Sequence, residues 1–283
     1  MLIRTTQSGD LGGGPVLVFG GPYSNLQATR AIRAMARARD IPAERCLCTG
    51  DVVGYCADPE ATVAEIRDWG CRVIAGNVER QLAEGALDCG CGFEAGTACD
   101  LLSAGWYAHA NAHVGAEARA WMAGLPDALD LTSPLGLLRL VHGGTREVNR
   151  FLWPDTEPAV LRQEVAHLPG ARPAFVFAGH SGLPFRTAVD GAFWVNAGVI
   201  GLPPNDGQPQ TRYAILHPDG QAEICRLDYD HEGAARAMED AGLRQGYHHA
   251  LRSGLWPSQD ILPAALRRSP GLDPGPADQR TVP

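Results

Sequence analysis

The chain has 283 residues, 45% of them hydrophobic, with 24 basic and 32 acidic side chains and a formal net charge of -8, so it can bury a full core without disulfide or metal staples. The acidic balance and a pI near 5.6 argue against general nucleic-acid binding and against an anionic-membrane surface binder. Every basic residue is Arg and none is Lys, which excludes Schiff-base lysine chemistry and lysine-dependent Walker-A loops.

No apolar run is long enough for a membrane span, and the polar, Gly-rich start carries no hydrophobic export segment. No membrane association is therefore expected, and the expected location is cytoplasmic. In a reducing compartment the eight cysteines are expected as thiols or metal ligands.

Residues 1–14 read as a flexible N-terminal tail. Val16–Phe19 predicts a buried strand, and a helix follows over Leu26–Arg39, ended by Pro42. Cys46–Thr49 predicts a second strand running into Gly50-Asp51. Asp58 as N-cap with Pro59 at the first helical position predicts a helix through Trp69. Arg72–Ala75 is a third strand, ending in Gly76-Asn77. The stretch from Glu84 to Cys99 is rich in Gly and Cys, and helices follow over Leu101–His113 and Glu117–Leu125. Leu137–Val141 predicts a strand ending in His142-Gly143, and Ala174–Ala178 one ending in Gly179-His180. Phe193–Val195, Tyr213–His217 and Ala222–Leu227 are further strands; Glu232–Ala241 and Gln245–Ser253 are helices. This alternation is α/β, with one main domain over residues 15–230, a helical extension over 231–268 packed on it, and a disordered Pro-rich tail over 269–283.

Four strand ends place a polar residue beside a glycine: Gly50-Asp51, Gly76-Asn77, His142-Gly143 and Gly179-His180. Glycine lets backbone or ligand come close, and loops at strand ends carry chemistry. A carboxylate, an amide and two imidazoles form a reasonable shell for one divalent transition metal, with manganese, iron or zinc favoured over calcium.

The order of these dipeptides carries a resemblance. Gly50-Asp51-Val52-Val53-Gly54-Tyr55, Gly76-Asn77, His142-Gly143, Gly179-His180, and Val195-Asn196-Ala197-Gly198 with Gly201 and Pro203 resemble the calcineurin-like metallophosphoesterase family, in its branch of small bacterial phosphodiesterases. The likeness runs from about Val16 to Ser253. It implies a four-layer α/β/β/α sandwich of two mixed sheets flanked by helices, two metals in loops at the sheet edge, and a small phosphorylated substrate or ligand. Carried over residue by residue, Asp51, Asn77, His142 and His180 match the second metal's ligands. Gly21, Tyr23 and Gly182 stand where the resemblance puts an Asp and two His of the first metal, with Tyr23 read as filling that space. Val78 stands where the family follows its Asn with a His, and Val cannot transfer a proton.

The resemblance therefore implies a metal-dependent phosphoesterase with a mononuclear site, acting on a phosphodiester or phosphomonoester with altered or reduced activity. Two alternatives stand beside it: a non-catalytic metal- or ligand-binding accessory protein on the same fold, and a mononuclear iron redox enzyme. Arg146 and Arg150, close after His142, are candidate phosphate contacts. Cys89, Cys91 and Cys99 are candidates for an accessory metal. Cys46 and Cys48 are read as facing opposite sides of their strand.

Overall fold

The structure is a computed structural model that describes residues 5–168 and 170–268. Its strands are β1 (Thr5–Asp10), β2 (Val16–Phe19), β3 (Cys46–Cys48), β4 (Arg72–Val73), β5 (Ala128–Ser133), β6 (Gly136–Val141), β7 (Phe175–Ala178), β8 (Phe185–Val189), β9 (Ala192–Asn196), β10 (Thr211–Leu216) and β11 (Ala222–Leu227). Its helices are α1 (Leu26–Ala38), α2 (Pro59–Trp69), α3 (Asn77–Glu84), α4 (Ala98–His113), α5 (Ala116–Ala123), α6 (Pro158–Ala166), α7 (His231–Asp240) and α8 (Tyr247–Ser253).

The strands form two mixed sheets, ordered β1-β5-β6-β7-β9-β8 and β11-β10-β2-β3-β4. Side-chain alternation along the strands divides the core into layers. In β2, Val16 and Val18 pack between the sheets while Leu17 and Phe19 face the helices α1, α2, α4, α7 and α8. In β7, Phe175 and Phe177 join the inter-sheet core while Val176 and Ala178 face α6. The result is a four-layer α/β/β/α sandwich whose buried aliphatic and aromatic side chains each contribute about 1.5–3 kcal/mol.

The parallel strands β2, β3 and β4 of one sheet and β6, β7 and β9 of the other end at a common edge. A Cβ added at Gly20, after β2, would lie 3.3 Å from Gly179 Cα, after β7. Loops beyond the C-terminal ends of parallel strands are where α/β folds place their sites.

Several elements depart from the sequence-based expectations. Residues 5–10 do not belong to a loose tail: they form β1, paired parallel to β5. Their composition, Thr-Thr-Gln-Ser-Gly-Asp, carries no apolar alternation, so only the partner strand reveals them. Helix α3 begins at Asn77, directly after the Gly76-Asn77 turn, behind a glycine N-cap that has no side chain to announce it. Helix α6 and strands β5 and β8 were likewise not expected. Asp58 does precede α2, but its side chain makes no capping hydrogen bond. Cys46 and Cys48 share one face and both pack under the helices, because residues two apart on a strand point the same way. Residues 231–268 carry α7, α8 and a 3-10 turn over Ala264–Leu266; the tail assigned to 269–283 lies outside the described residues.

Candidate metal centre

Asp51 sits one residue beyond Gly50, in the left-handed region at φ 54°, which a non-glycine residue occupies only when its surroundings hold it there. The holding group is Glu79, on the first turn of α3. Its carboxylate is fully buried and accepts hydrogen bonds from the backbone N–H groups of Asp51 (2.7 Å), Val52 (2.8 Å), Val53 (3.4 Å) and Gly76 (2.8 Å). One side chain thus ties the loop after β3 to the start of α3. The same approach requires glycine at position 50, where an added Cβ would fall 2.9 Å from Gly76 Cα.

His142 follows β6, and its Nδ1 lies 2.6 Å from the Thr49 carbonyl. Since a carbonyl only accepts, Nδ1 carries the hydrogen and a neutral ring presents a lone pair at Nε2. Around that Nε2 lie Asn77 Oδ1 at 3.0 Å, His180 Nδ1 at 3.0 Å and Asp51 Oδ2 at 3.2 Å. The Asn77 amide is turned this way because its Nδ2 donates to the Cys89 carbonyl at 2.8 Å and approaches Cys91 Sγ at 3.5 Å. Asp51, His142 and His180 offer ligand atoms within 4.8 Å of one another, a group able to hold a metal ion. All four side chains are buried, and the remaining polar neighbours of His180 are the backbone groups of Cys91 and Asn149. A carboxylate oxygen, an amide oxygen and two imidazole nitrogens meeting in a buried space form a donor set that fits a divalent transition metal.

Without a cation, burial works against the Asp51 charge, but the charge and hydrogen bond of His142 outweigh it and hold the carboxyl below its usual range. Burial also opposes protonation of His142, and the Asp51 charge and hydrogen bond overcome it, so that pKa is raised. Burial and the neighbouring His142 push His180 down to about 3, which keeps it a neutral ligand. Burial and the charge of Asp51 push Glu79 up to about 7.

Opposite this cluster lie Gly21, Tyr23 and Gly182. A Cβ added at Gly21, which has φ 38°, would stand 2.6 Å from Tyr23 Cζ and 2.7 Å from Val199 Cγ1. Tyr23 is buried, packs edge-on against Tyr55 at 4.6 Å, and is kept a neutral phenol by burial and the Asp51 charge. The nearest atoms to a Cβ at Gly182 belong to Val199 (3.6 Å) and Trp256 (3.8 Å). Aromatic and aliphatic atoms hold this side.

The candidate phosphate contacts separate. Arg150 pairs with the buried Glu164 carboxylate at 2.8 Å, and Glu164 also accepts from the Thr145 backbone and hydroxyl. Arg146 is exposed, 3.3 Å from His167, and lines an open cleft that reaches Asn77 past Arg80 and Gln81. Cys89 and Cys91 are joined in a disulfide, so the expectation of free thiols fails there and neither sulfur is a thiolate ligand in this form. Cys99 is a free thiol 3.5 Å from the Ser258 hydroxyl. Glu79 is the functional residue that the sequence reading passed over. A carboxylate two residues beyond Asn77, on a helix start, was the available signal.

No family model matches the chain. An uncharacterized protein of Methanocaldococcus jannaschii is 26% identical over 234 residues, which cover 76% of this chain and 88% of that protein. A metallophosphoesterase from Sphaerobacter thermophilus superposes with a TM-score of 0.68 at 20% identity, covering 86% of this chain and all of that one. A hypothetical protein from Pyrococcus horikoshii superposes with a TM-score of 0.67 at 17% identity, covering 85% of this chain and 98% of that one. The chain therefore has the calcineurin-like metallophosphoesterase fold that its strand-end dipeptides resemble.

Proposed function

We propose that this chain, built on the calcineurin-like metallophosphoesterase fold, is a metal-dependent phosphoesterase working from one divalent ion, manganese, iron or zinc, held by Asp51, Asn77, His142 and His180. The observation that carries the reading is the convergence of Asn77, Asp51 and His180 atoms on a His142 Nε2 whose lone pair is fixed by the Thr49 carbonyl. When bound, such an ion supplies a Lewis acid for a phosphoryl oxygen and lowers the pKa of a coordinated water. The protein's part is to hold the geometry. Glu79 fixes the Asp51 loop, and the Cys89 carbonyl aims the Asn77 amide. Arg146, on the cleft that reaches Asn77, offers a guanidinium to a substrate phosphate, whereas Arg150 remains engaged with Glu164. Val78 has no proton to give, so esters whose leaving group departs as a stable anion are the better substrates. The remaining six cysteines are free thiols, which supports a cytoplasmic setting for the reaction.

Protein purified without added metal is to be analysed for metal content and assayed with bis(p-nitrophenyl) phosphate and p-nitrophenyl phosphate. One equivalent of metal is expected, with turnover that tracks occupancy and disappears, together with the metal, in His142→Ala and His180→Ala. Undiminished turnover in both variants would overturn the reading, and two equivalents would overturn its single-ion form.

A non-catalytic binding protein on the same fold is the second reading, favoured by the apolar packing of Tyr23 and Val199 against Gly21 and by Val78. Turnover above a metal-free control, proportional to occupancy, counts against it.

A further inference from the structure

Next to the Asp51 and His180 side chains opens a partly enclosed cavity whose character differs from that of the metal cluster. Phe151 lies with its ring 4.3 Å from that of His180 and stacks on Trp153 at 5.2 Å, 4° from parallel. Phe93 lies 6.1 Å from Phe151 at 22°, and Tyr247 and Trp256 also line the space. Among the described residues lining it there is no Arg, and the single carboxylate is Asp51. The cleft that carries Arg146 is a separate one, on the Asn77 side.

This wall is built. The Trp256 indole N–H donates to the Pro203 carbonyl at 2.7 Å, and its backbone N–H donates to Asn205 Oδ1 at 2.8 Å. Asp260 accepts from the Ala98 backbone N–H at 3.0 Å, tying the segment after α8 to the start of α4. Leu262 is buried with Trp153 and Leu183, and Ile261 and Leu266 pack on them. The segment beyond α8 therefore roofs the cavity through fixed hydrogen bonds and a small apolar cluster of its own.

We infer that this cavity binds a planar, uncharged aromatic ring carried by the substrate whose phosphoryl group lies at the metal cluster; the link to phosphate rests on the reading above. Aromatic faces favour stacking with another ring. The polar groups on this lining are the Ser181 and Ser258 hydroxyls, the Cys99 thiol, the tyrosine hydroxyls and the Asp51 and His180 side chains, with no cationic side chain among them, so a second anionic group would give up more hydration here than it regains. The phosphate charge belongs at the His180 end, beside the residues that would hold the ion, and the ring belongs at the Phe151 and Trp256 end. The substrate class is an aromatic phosphoester, with the ring setting specificity.

The test is calorimetric titration of the full-length, metal-loaded protein with phenylphosphonate, methylphosphonate and indole. Phenylphosphonate is expected to bind about tenfold more tightly than methylphosphonate. That preference should fall to about threefold or less in Trp256→Ala and persist in Trp256→Phe. Phe151→Leu repeats the comparison if Trp256→Ala fails to fold, as judged by its circular dichroism. Equal affinity for the two phosphonates in the unaltered protein, or an aryl preference that survives both Trp256→Ala and Phe151→Leu, overturns the ring site and leaves the phosphoesterase reading standing. Binding of indole that depends on Trp256, with no binding of either phosphonate, upholds the ring site and overturns the phosphoesterase reading.

Discussion

The two sides of the strand-end site are made from the same kind of loop and packed in opposite ways. On one side Asp51, Asn77 and His180 bring polar atoms within 3.2 Å of a single nitrogen of His142, in a buried setting. On the other side a side chain at Gly21 would collide with the Tyr23 ring and Val199, and Tyr23, Gly182, Val199 and Trp256 form an apolar wall of the neighbouring cavity. Burying polar groups is unfavourable unless they are satisfied, whereas aromatic and aliphatic contacts stabilise without further help. The contacts of Tyr23 and Val199 against Gly21 are accounted for by packing stability. The polar side has the donor set of a metal site, and this asymmetry motivates the proposal of a single ion instead of a pair.

The largest effect that would break this comparison is expected from His142→Ala. Bound metal should fall from one equivalent to a trace by elemental analysis. Turnover of bis(p-nitrophenyl) phosphate should fall at least about 10²-fold, since even outer-shell changes cost 10–100-fold at metal sites. Retention of the metal would mean that His142 is not one of its ligands.

Gly21→Asp probes the apolar side. The new side chain meets Tyr23 and Val199 at 2.6–2.7 Å in a left-handed backbone, so unfolding stability should drop by roughly 2–4 kcal/mol in urea titration. Adding Tyr23→Ala should recover part of that loss, because the ring is the nearer obstacle. Stability unaffected by Gly21→Asp would show that this side still has room for a ligand.

Glu79→Gln sharpens what holds the polar side. The amide keeps one acceptor oxygen but turns an NH2 group toward backbone donors that Glu79 now satisfies. A loss of about 1–3 kcal/mol is expected, read as a lower Tm, with weaker metal binding because Asp51 is no longer fixed at its positive φ. Unchanged metal affinity would separate the clamp from the site.

The smallest effect is one of pH. In the metal-free protein His142 is raised above its ordinary 6.5 and Glu79 is raised to about 7. Both hold their protons more tightly folded than unfolded. Their contribution is therefore full below the unfolded values and is lost as pH rises through the folded ones. Asp51, held below its ordinary 3.8, acts at the other end: its contribution is lost as pH falls through its folded value. Metal binding needs an unprotonated His142, so the rise in Tm on adding manganese or zinc should grow between about pH 6 and 8. A metal-induced shift independent of pH over that interval would argue that the ion binds elsewhere.

The four proposed ligands were legible because each stands next to a glycine at the end of an apolar run and because their order resembles the family's motifs. Tyr23 was legible only through the family resemblance, as the residue that stands where a first-metal His would be. Glu79 was not, since its role depends on the loop after β3 passing over the first turn of α3, a contact between segments 28 residues apart. The Cys89–Cys91 disulfide was not legible, because the expected compartment carries no information about two cysteines only two residues apart.

Composition and strand-end pattern thus determined the fold class and the chemical character of the four polar residues, since these follow from side-chain type and from spacing along one segment. Tertiary structure alone decided three further things: that the His142 lone pair faces Asp51, Asn77 and His180, that Tyr23 and Val199 occupy the space beside Gly21, and that Trp256 from beyond α8 roofs an aromatic cavity next to His180. Each depends on a distance between segments remote in sequence. Such distances are set by how the two sheets stack and where the chain returns across their edge, and no local pattern records them.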